Sequence, residues 1–296
     1  KNQKKKSKTT TTKTKKNTLF FLCNNCNKNK KMNLKLENEA RWQVVGVPFA
    51  MYWTSLPAAT TGQTRILLVR HGESTSNFTS KLSGGECDAG LTEKGIAQGH
   101  SVADCLHASG VNVGMIASST LLRAKHTADL TWQRFPHVPR LIMPGIVEMR
   151  YGTLASSDIA DPSVANEMRF TSKQWRSGNT NCKVGGNAGE SPEDVLERTL
   201  HALKELKQHT HHASLTHEHV IVVVAHAHLI KTLISWATPT LGLSKIHSVP
   251  QQNCAVNVLE LSHTDAMNDE LDYGKANVGT HIISNQLQAT TVTMSR

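Results

Sequence analysis

No acidic residue precedes Glu37 in this 296-residue chain, although a dozen lysines do. The formal charge of +10 is therefore local. Once those lysines are set aside, 21 of the 33 basic side chains remain, against 23 acidic ones. Aromatic residues make up only 5% of the chain, and among the lysines that open it they are limited to the pair Phe20-Phe21. Lysine without stacking partners gives only salt-sensitive phosphate contacts, so nucleic acid is excluded as the working partner. Long apolar runs are also missing. Thr18–Leu22 and Val44–Trp53 are too short to cross a bilayer, which removes a membrane partner. The six cysteines fall at irregular spacing and do not form a disulfide framework. Cys23 and Cys26 form a Cys-x-x-Cys pair without a second ligand pair beside it. Cys105, on a helical stretch, and Cys254, on a strand, read as small buried side chains. A reducing, cytoplasmic setting is expected, with an organelle-targeting peptide at the N-terminus as the competing view.

Residues 1–60 are expected to be a low-complexity, disordered extension. Their opening lysine, asparagine and threonine runs cannot bury enough apolar surface to offset ordering entropy. The first methionine is Met32, so the preceding stretch is expected to be a fragment or an over-extended gene product. Residues 61–290 read as one catalytic domain, because apolar strands and helical periods alternate without a linker.

Two segments carry the chemistry. Arg65–Val69 and Val220–Ala225 are short apolar runs, hydrophobic on both faces, as buried parallel strands are. Each runs directly into a histidine: Arg70-His71-Gly72-Glu73-Ser74 after the first, and His226 after the second. Ligands of open α/β sheets bind beyond the carboxyl ends of the strands. Both histidines and Arg70 are therefore expected in one crevice, suited to an anion. The cluster His209, His211, His212, His217 and His219 lies before the Val220 strand and reads as a solvated loop.

The Arg-His-Gly-Glu-Ser turn resembles the signature of the histidine phosphatase superfamily, the phosphoglycerate mutase-like fold. Further stretches match in the same order. Asp88-Ala89-Gly90-Leu91-Thr92 opens a helix with Thr92 as N-cap. Ser119 to Ala128 is similar to Ser-x-x-x-Arg-Ala-x-x-Thr-Ala and places Arg123 in the first turn of a helix. Pro144 to Gly152 brings Glu148, and Gly189-Glu190-Ser191-Pro192 starts a long helix. His226-Ala227-His228-Leu229-Ile230-Lys231 is similar to a His-Gly-His-Phe-Leu-Arg variant, with alanine for glycine. The matches span residues 65–262.

The resemblance implies a three-layer α/β sandwich with a mostly parallel sheet. Strands are expected near 65–70, 113–118, 138–143, 220–225 and 254–261, with an edge strand near 279–285. Helices are expected near 92–108, 120–134, 192–208 and 228–237, and an irregular helical insertion around 157–176 should cap the crevice. The resemblance also implies a small phosphorylated substrate, no metal and no organic cofactor. His71 would be the nucleophile, Arg70, Arg123 and His226 the phosphate clamp, and Glu148 the general acid. An ion pair with Arg150 is the structural alternative for Glu148. Asn77, Gly72, Ser74 and Ala227 would contact substrate. Glu73 and Glu190 would orient their neighbours. Phosphomonoester hydrolysis through phosphohistidine leads. A phosphoglycerate mutase-type transfer is the rival, weakened by Ala155-Ser156-Ser157-Asp158, and a binding module without catalysis is the third reading. The substrate and the oligomeric state are left open.

Overall fold

The computed structural model describes residues 63–213, 216, 218–238, 240–262 and 280–281. The expected low-complexity extension over 1–60, the Cys23 and Cys26 pair and the domain limit at 290 lie outside these residues. Six strands form one sheet: β1 (Gln63–Arg70), β2 (Val113–Ser119), β3 (Arg140–Met143), β4 (Val220–Ala225), β5 (Val256–Ser262) and the short β6 (Thr280–His281). Their order is β3-β2-β4-β1-β5-β6. The first four places pair in parallel, while β5 runs antiparallel to both β1 and β6. β4, late in the chain, is inserted between β1 and β2. That insertion brings the ends of three strands together.

Among the described residues six α-helices accompany the sheet: α1 (Thr75–Phe78), α2 (Glu93–Ala108), α3 (Leu122–Trp132), α4 (Pro162–Arg176), α5 (Pro192–His212) and α6 (Ala227–Ala237). Their starts are chemically specified. The Thr92 hydroxyl accepts the Gly95 N–H at 3.0 Å and caps α2. Leu121 cannot cap α3, so Asp88 accepts the Leu122 N–H at 2.6 Å in its place. Ser191 and Asp194 satisfy each other's backbone N–H groups at the start of α5, where Pro192 fits because its missing donor is not needed.

The three layers follow from strand alternation. Leu67 and Val69 of β1 join Val222 and Val224 of β4 in a cluster with Val102 and Leu106 of α2 and Ala124 and Ala128 of α3. The alternate residues Ile66 and Leu68 are just as buried on the other face, where α6 packs against β1 and α5 packs against α6. Ile142 is left half exposed because β3 is an edge strand.

Four expectations need correction. The segment expected to be an irregular insertion contains a regular 15-residue helix, α4, capped by Asp161 with Pro162 in its first turn. α5 continues to His212, so His209, His211 and His212 belong to its last turns and not to a loop. Cys254 precedes β5 and is not on a strand; it is buried, with a left-handed φ of 57°. Strand β3 starts at Arg140, later than the expected 138.

Candidate active site

Register places the site. Arg70 ends β1 opposite Ala225 of β4, and Ser118 of β2 lies opposite Val224. The next residues of the three strands, His71, His226 and Ser119, therefore emerge together at the carboxyl edge. The His71 N–H still donates to the Ala225 carbonyl at 3.0 Å, and the two histidine rings lie 5.2 Å apart.

The tautomer of His71 is set by its own turn. Nδ1 lies 2.7 Å from the Gly72 carbonyl, which can only accept, so Nδ1 carries the proton and Nε2 keeps a free lone pair. Burial first, then the charges of Arg123 and Arg70, hold the ring well below the usual histidine pKa despite the Gly72 bond. His226 is equally buried and is held low by its burial and by Arg123. Its Nε2 lies 2.6 Å from the Ser119 hydroxyl, which already accepts the Leu121 N–H. With the Ser119 proton directed at Nε2, His226 Nδ1 becomes the N–H donor. That atom has no partner, and neither do Arg70 Nε and Arg123 Nε. Three buried donors without acceptors are rare in a folded protein. Here they belong to residues that neighbour His71: the His226 ring lies 5.2 Å from its ring, and the charges of Arg123 and Arg70 act on it.

The two arginines are held by backbone. Arg70 Nη1 donates to the Gln251 carbonyl at 2.6 Å. Both terminal nitrogens of Arg123 donate to carbonyls of the 83–87 loop: Cys87 at 2.8 Å, Ser83 at 3.1 Å and Gly84 at 3.2 Å.

Glu148 is buried and does not pair with Arg150, whose guanidinium faces Glu190 at 3.7 Å. Its carboxylate instead caps the start of α6, accepting N–H bonds from His228 and Leu229 as well as from Met149. Burial alone would raise its pKa, but His228, the amide bonds and Arg123 outweigh that and hold it below the usual carboxylate value. Glu190 braces this arrangement as an orienter. It takes a two-pronged bond from Arg198, whose other contacts are the carbonyls of Gly145, Val147 and Glu148. Glu73 points elsewhere, binding Thr92 and Lys94 at the start of α2.

The remaining expected residues shape the turn more than they line it. The Gly72 N–H donates to Thr127, and a Cβ at Gly72 would collide with the Gly95 carbonyl. Ser74 is fully buried and caps α1 by accepting the Asn77 N–H at 3.3 Å. The Asn77 side-chain oxygen accepts from Ser74 N–H and from Asn253, and Asn253 also donates to the His71 carbonyl. Ala227 opens α6, beside the amides that hold Glu148. Sequence reasoning missed Ser119 as the partner of His226, although it opens the Arg123 motif. It also missed Tyr151, whose hydroxyl lies 2.9 Å from His228 Nδ1. Gln251 and Asn253 carry no local signal.

The family model for the histidine phosphatase superfamily (branch 1) matches residues 66–271. A 2,3-bisphosphoglycerate-dependent phosphoglycerate mutase of Nitrobacter winogradskyi is 32% identical over 139 residues, 46% of this chain and 64% of that protein. An adenosylcobalamin/alpha-ribazole phosphatase of Escherichia coli K12 is 36% identical over 88 residues, covering 30% and 41%. Among solved structures, a mycobacterial glucosyl-3-phosphoglycerate phosphatase superposes with a TM-score of 0.61 at 23% identity, over 75% of this chain and 99% of that one. At that identity the likeness speaks for the fold alone. The motif order, the α/β sheet that gathers it and a family match across most of the chain agree, and on that ground the protein belongs to the histidine phosphatase superfamily, branch 1.

Proposed function

We propose that the protein hydrolyses phosphomonoesters of small metabolites through a phosphohistidine at His71, without a metal. The observation that carries this reading is the set of three unpartnered buried donors, Arg70 Nε, Arg123 Nε and His226 Nδ1, beside a histidine whose tautomer frees Nε2. Phosphoryl transfer asks mainly for positioning and for charge around the equatorial oxygens. Arginine supplies both with a fixed fork of donors. Nε2 attacks phosphorus as the ester oxygen departs, forming the P–N bond and breaking the P–O bond. Glu148 is ionised before substrate arrives, since its pKa is lowered. A phosphoryl group placed beside it adds like charge and favours proton uptake. That proton passes to the leaving alkoxide, and the regenerated carboxylate then deprotonates the water that attacks phosphohistidine.

A mutase shares the first half of this cycle and differs in the acceptor. The relatives include both kinds of enzyme. Hydrolysis is favoured because Ala155-Ser156-Ser157-Asp158 stands where the resemblance leads one to expect glycine and a basic partner.

The test combines two variants, with assays in EDTA. Wild type should retain phosphate release and form an acid-labile, base-stable phosphoenzyme, and His71→Ala should lose both. Glu148→Gln should lose far less rate on an aryl phosphate with an acidic phenol than on an alkyl phosphate, because a good leaving group needs no proton. Equal losses on both substrates would remove Glu148 from the acid role. Activity that vanishes in EDTA and returns with Mg²⁺ or Zn²⁺ would overturn the metal-free mechanism.

A further inference from the structure

The hydrogen bond that sets the tautomer of His71 does not end at the carbonyl that receives it. His71 Nδ1 lies 2.7 Å from the Gly72 carbonyl, which belongs to the peptide unit joining Gly72 to Glu73. The other end of that planar unit is the Glu73 N–H, and it donates to the side-chain oxygen of Gln98 at 2.8 Å. Gln98 is half-buried on α2, one turn past Gly95. An N–H can only donate, so the Gln98 amide must present Oε1 to it. The bonds therefore run in one direction, from the His71 Nδ1–H to the Gly72 carbonyl and from the Glu73 N–H to Gln98.

The neighbouring bonds hold the peptides on either side. The Gly72 N–H donates to Thr127 at 3.0 Å and fixes the unit before. The Glu73 carbonyl accepts the Thr92 N–H at 2.9 Å and fixes the unit after. Gly72 has no side chain to brace the unit between them, since a Cβ there would lie 2.4 Å from the Gly95 carbonyl oxygen. Without an acceptor on the Glu73 N–H, that unit can turn its carbonyl away from the ring, and Nδ1 loses the partner that keeps its proton. Bonds in a chain also polarise one another. The Gln98 oxygen thus makes the Gly72 carbonyl a stronger acceptor, and the Gly72 bond opposes burial, Arg123 and Arg70, which all lower the basicity of His71.

We propose that Gln98 is a positioning residue for His71, fixing its Nδ1–H tautomer and sharpening the nucleophilicity of Nε2 through the Gly72–Glu73 peptide. The kinetic arm of the test rests on the phosphatase reading, and the spectroscopic arm does not. Nitrogen-15 spectra of labelled protein report which ring nitrogen of each histidine carries the proton, with His71 assigned by the signals missing from His71→Ala. Wild type should show the Nδ1–H form alone. Gln98→Leu removes the acceptor. It should bring in the Nε2–H form and slow single-turnover phosphorylation by an aryl phosphate about 3- to 10-fold, the loss of one hydrogen bond. Gln98→Glu keeps an acceptor oxygen and should restore both readouts to near wild type. Ser109→Ala removes a bond to the Leu106 carbonyl at the far end of the same helix and should move neither. A Gln98→Leu protein with the wild-type tautomer and rate would overturn the proposal, and so would a Gln98→Glu or Ser109→Ala protein as impaired as Gln98→Leu. If wild type forms no phosphoenzyme from the aryl phosphate, the phosphatase reading fails, while a tautomer shift in Gln98→Leu would still uphold the positioning of His71.

Discussion

Three histidines meet at this site, and burial holds the pKa of all three below the free value, His228 down to about 4. A neutral His71 suits a nucleophile, and the depressed pKa keeps it neutral into mildly acidic solution. The same shift has a consequence for stability. Below about pH 6.5 the unfolded chain binds protons at these positions that the folded chain refuses, so stability is complete above that pH and is lost as pH falls toward the folded values. For His228 alone the loss near pH 5 is on the order of 1–2 kcal/mol. The melting temperature of wild type should fall between pH 7 and pH 5, and His228→Gln should flatten part of that fall. An unchanged slope in the variant would mean that His228 is not held neutral. The motif residues His71, Arg123 and His226 were readable because each follows a strand or opens a helix. The contacts that tune them were not. Ser119 to His226 spans 107 positions and Tyr151 to His228 spans 77, distances over which no local pattern operates.

At the level of elements, the turn that carries His71 and the first turn of α2 touch backbone to backbone. A Cβ on Gly95 would strike the Glu73 carbonyl, and one on Gly72 would strike the Gly95 carbonyl. Gly95→Ala should push α2 away from the loop that holds His71, costing about 1–3 kcal/mol of stability and lowering kcat by more than tenfold. Gly110→Ala is the control. It has φ of +68° and nothing within 4 Å of its would-be Cβ, so it should lose stability through backbone strain and leave kcat alone. Equal kcat values for the two variants would show that the close approach is not what positions the turn. Helix α4 is instructive in another way. Its start carries an Asp161-Pro162 signal that the sequence reading passed over, and Val164, Thr171 and Trp175 are its buried residues. With so few apolar side chains over 15 residues, the period was too sparse to separate a regular helix from an irregular insertion. Glu148 shows the limit most clearly, because its holder is the start of α6, 80 residues away.

For the whole molecule, the first described strand starts at Gln63, and every residue assigned to the site lies beyond that point. A version of the chain starting at Met32 is expected to match the full chain in melting temperature and activity. One starting at Gly62 should keep activity and lose at most about 1–2 kcal/mol, the scale of burying one large apolar side chain. An insoluble or inactive Met32 version would show that the lysine-rich stretch is part of the working protein. The parallel strands β1, β2 and β4 were identifiable from their apolar runs, since burial on both faces leaves few other residues possible. Their order was not, because a strand's neighbours are set by where its crossover lands. The antiparallel direction of β5 was not either. The described part of the protein contains no helix long and apolar enough to cross a membrane.

Helix α6 binds these scales together. Its preceding residue is His226, its first amides hold Glu148, and Lys231 stands on its second turn, while Leu229, Ile230, Leu233 and Ile234 are locked into the core. His226, the Glu148 carboxylate and Lys231 are thus rigidly geared to one another. A small translation of this rod cannot alter one without altering the rest. Core packing beneath it is therefore a lever on all three, and a repacked Leu233 would displace the His226 ring, the Glu148 carboxylate and the Lys231 ammonium as one correlated shift.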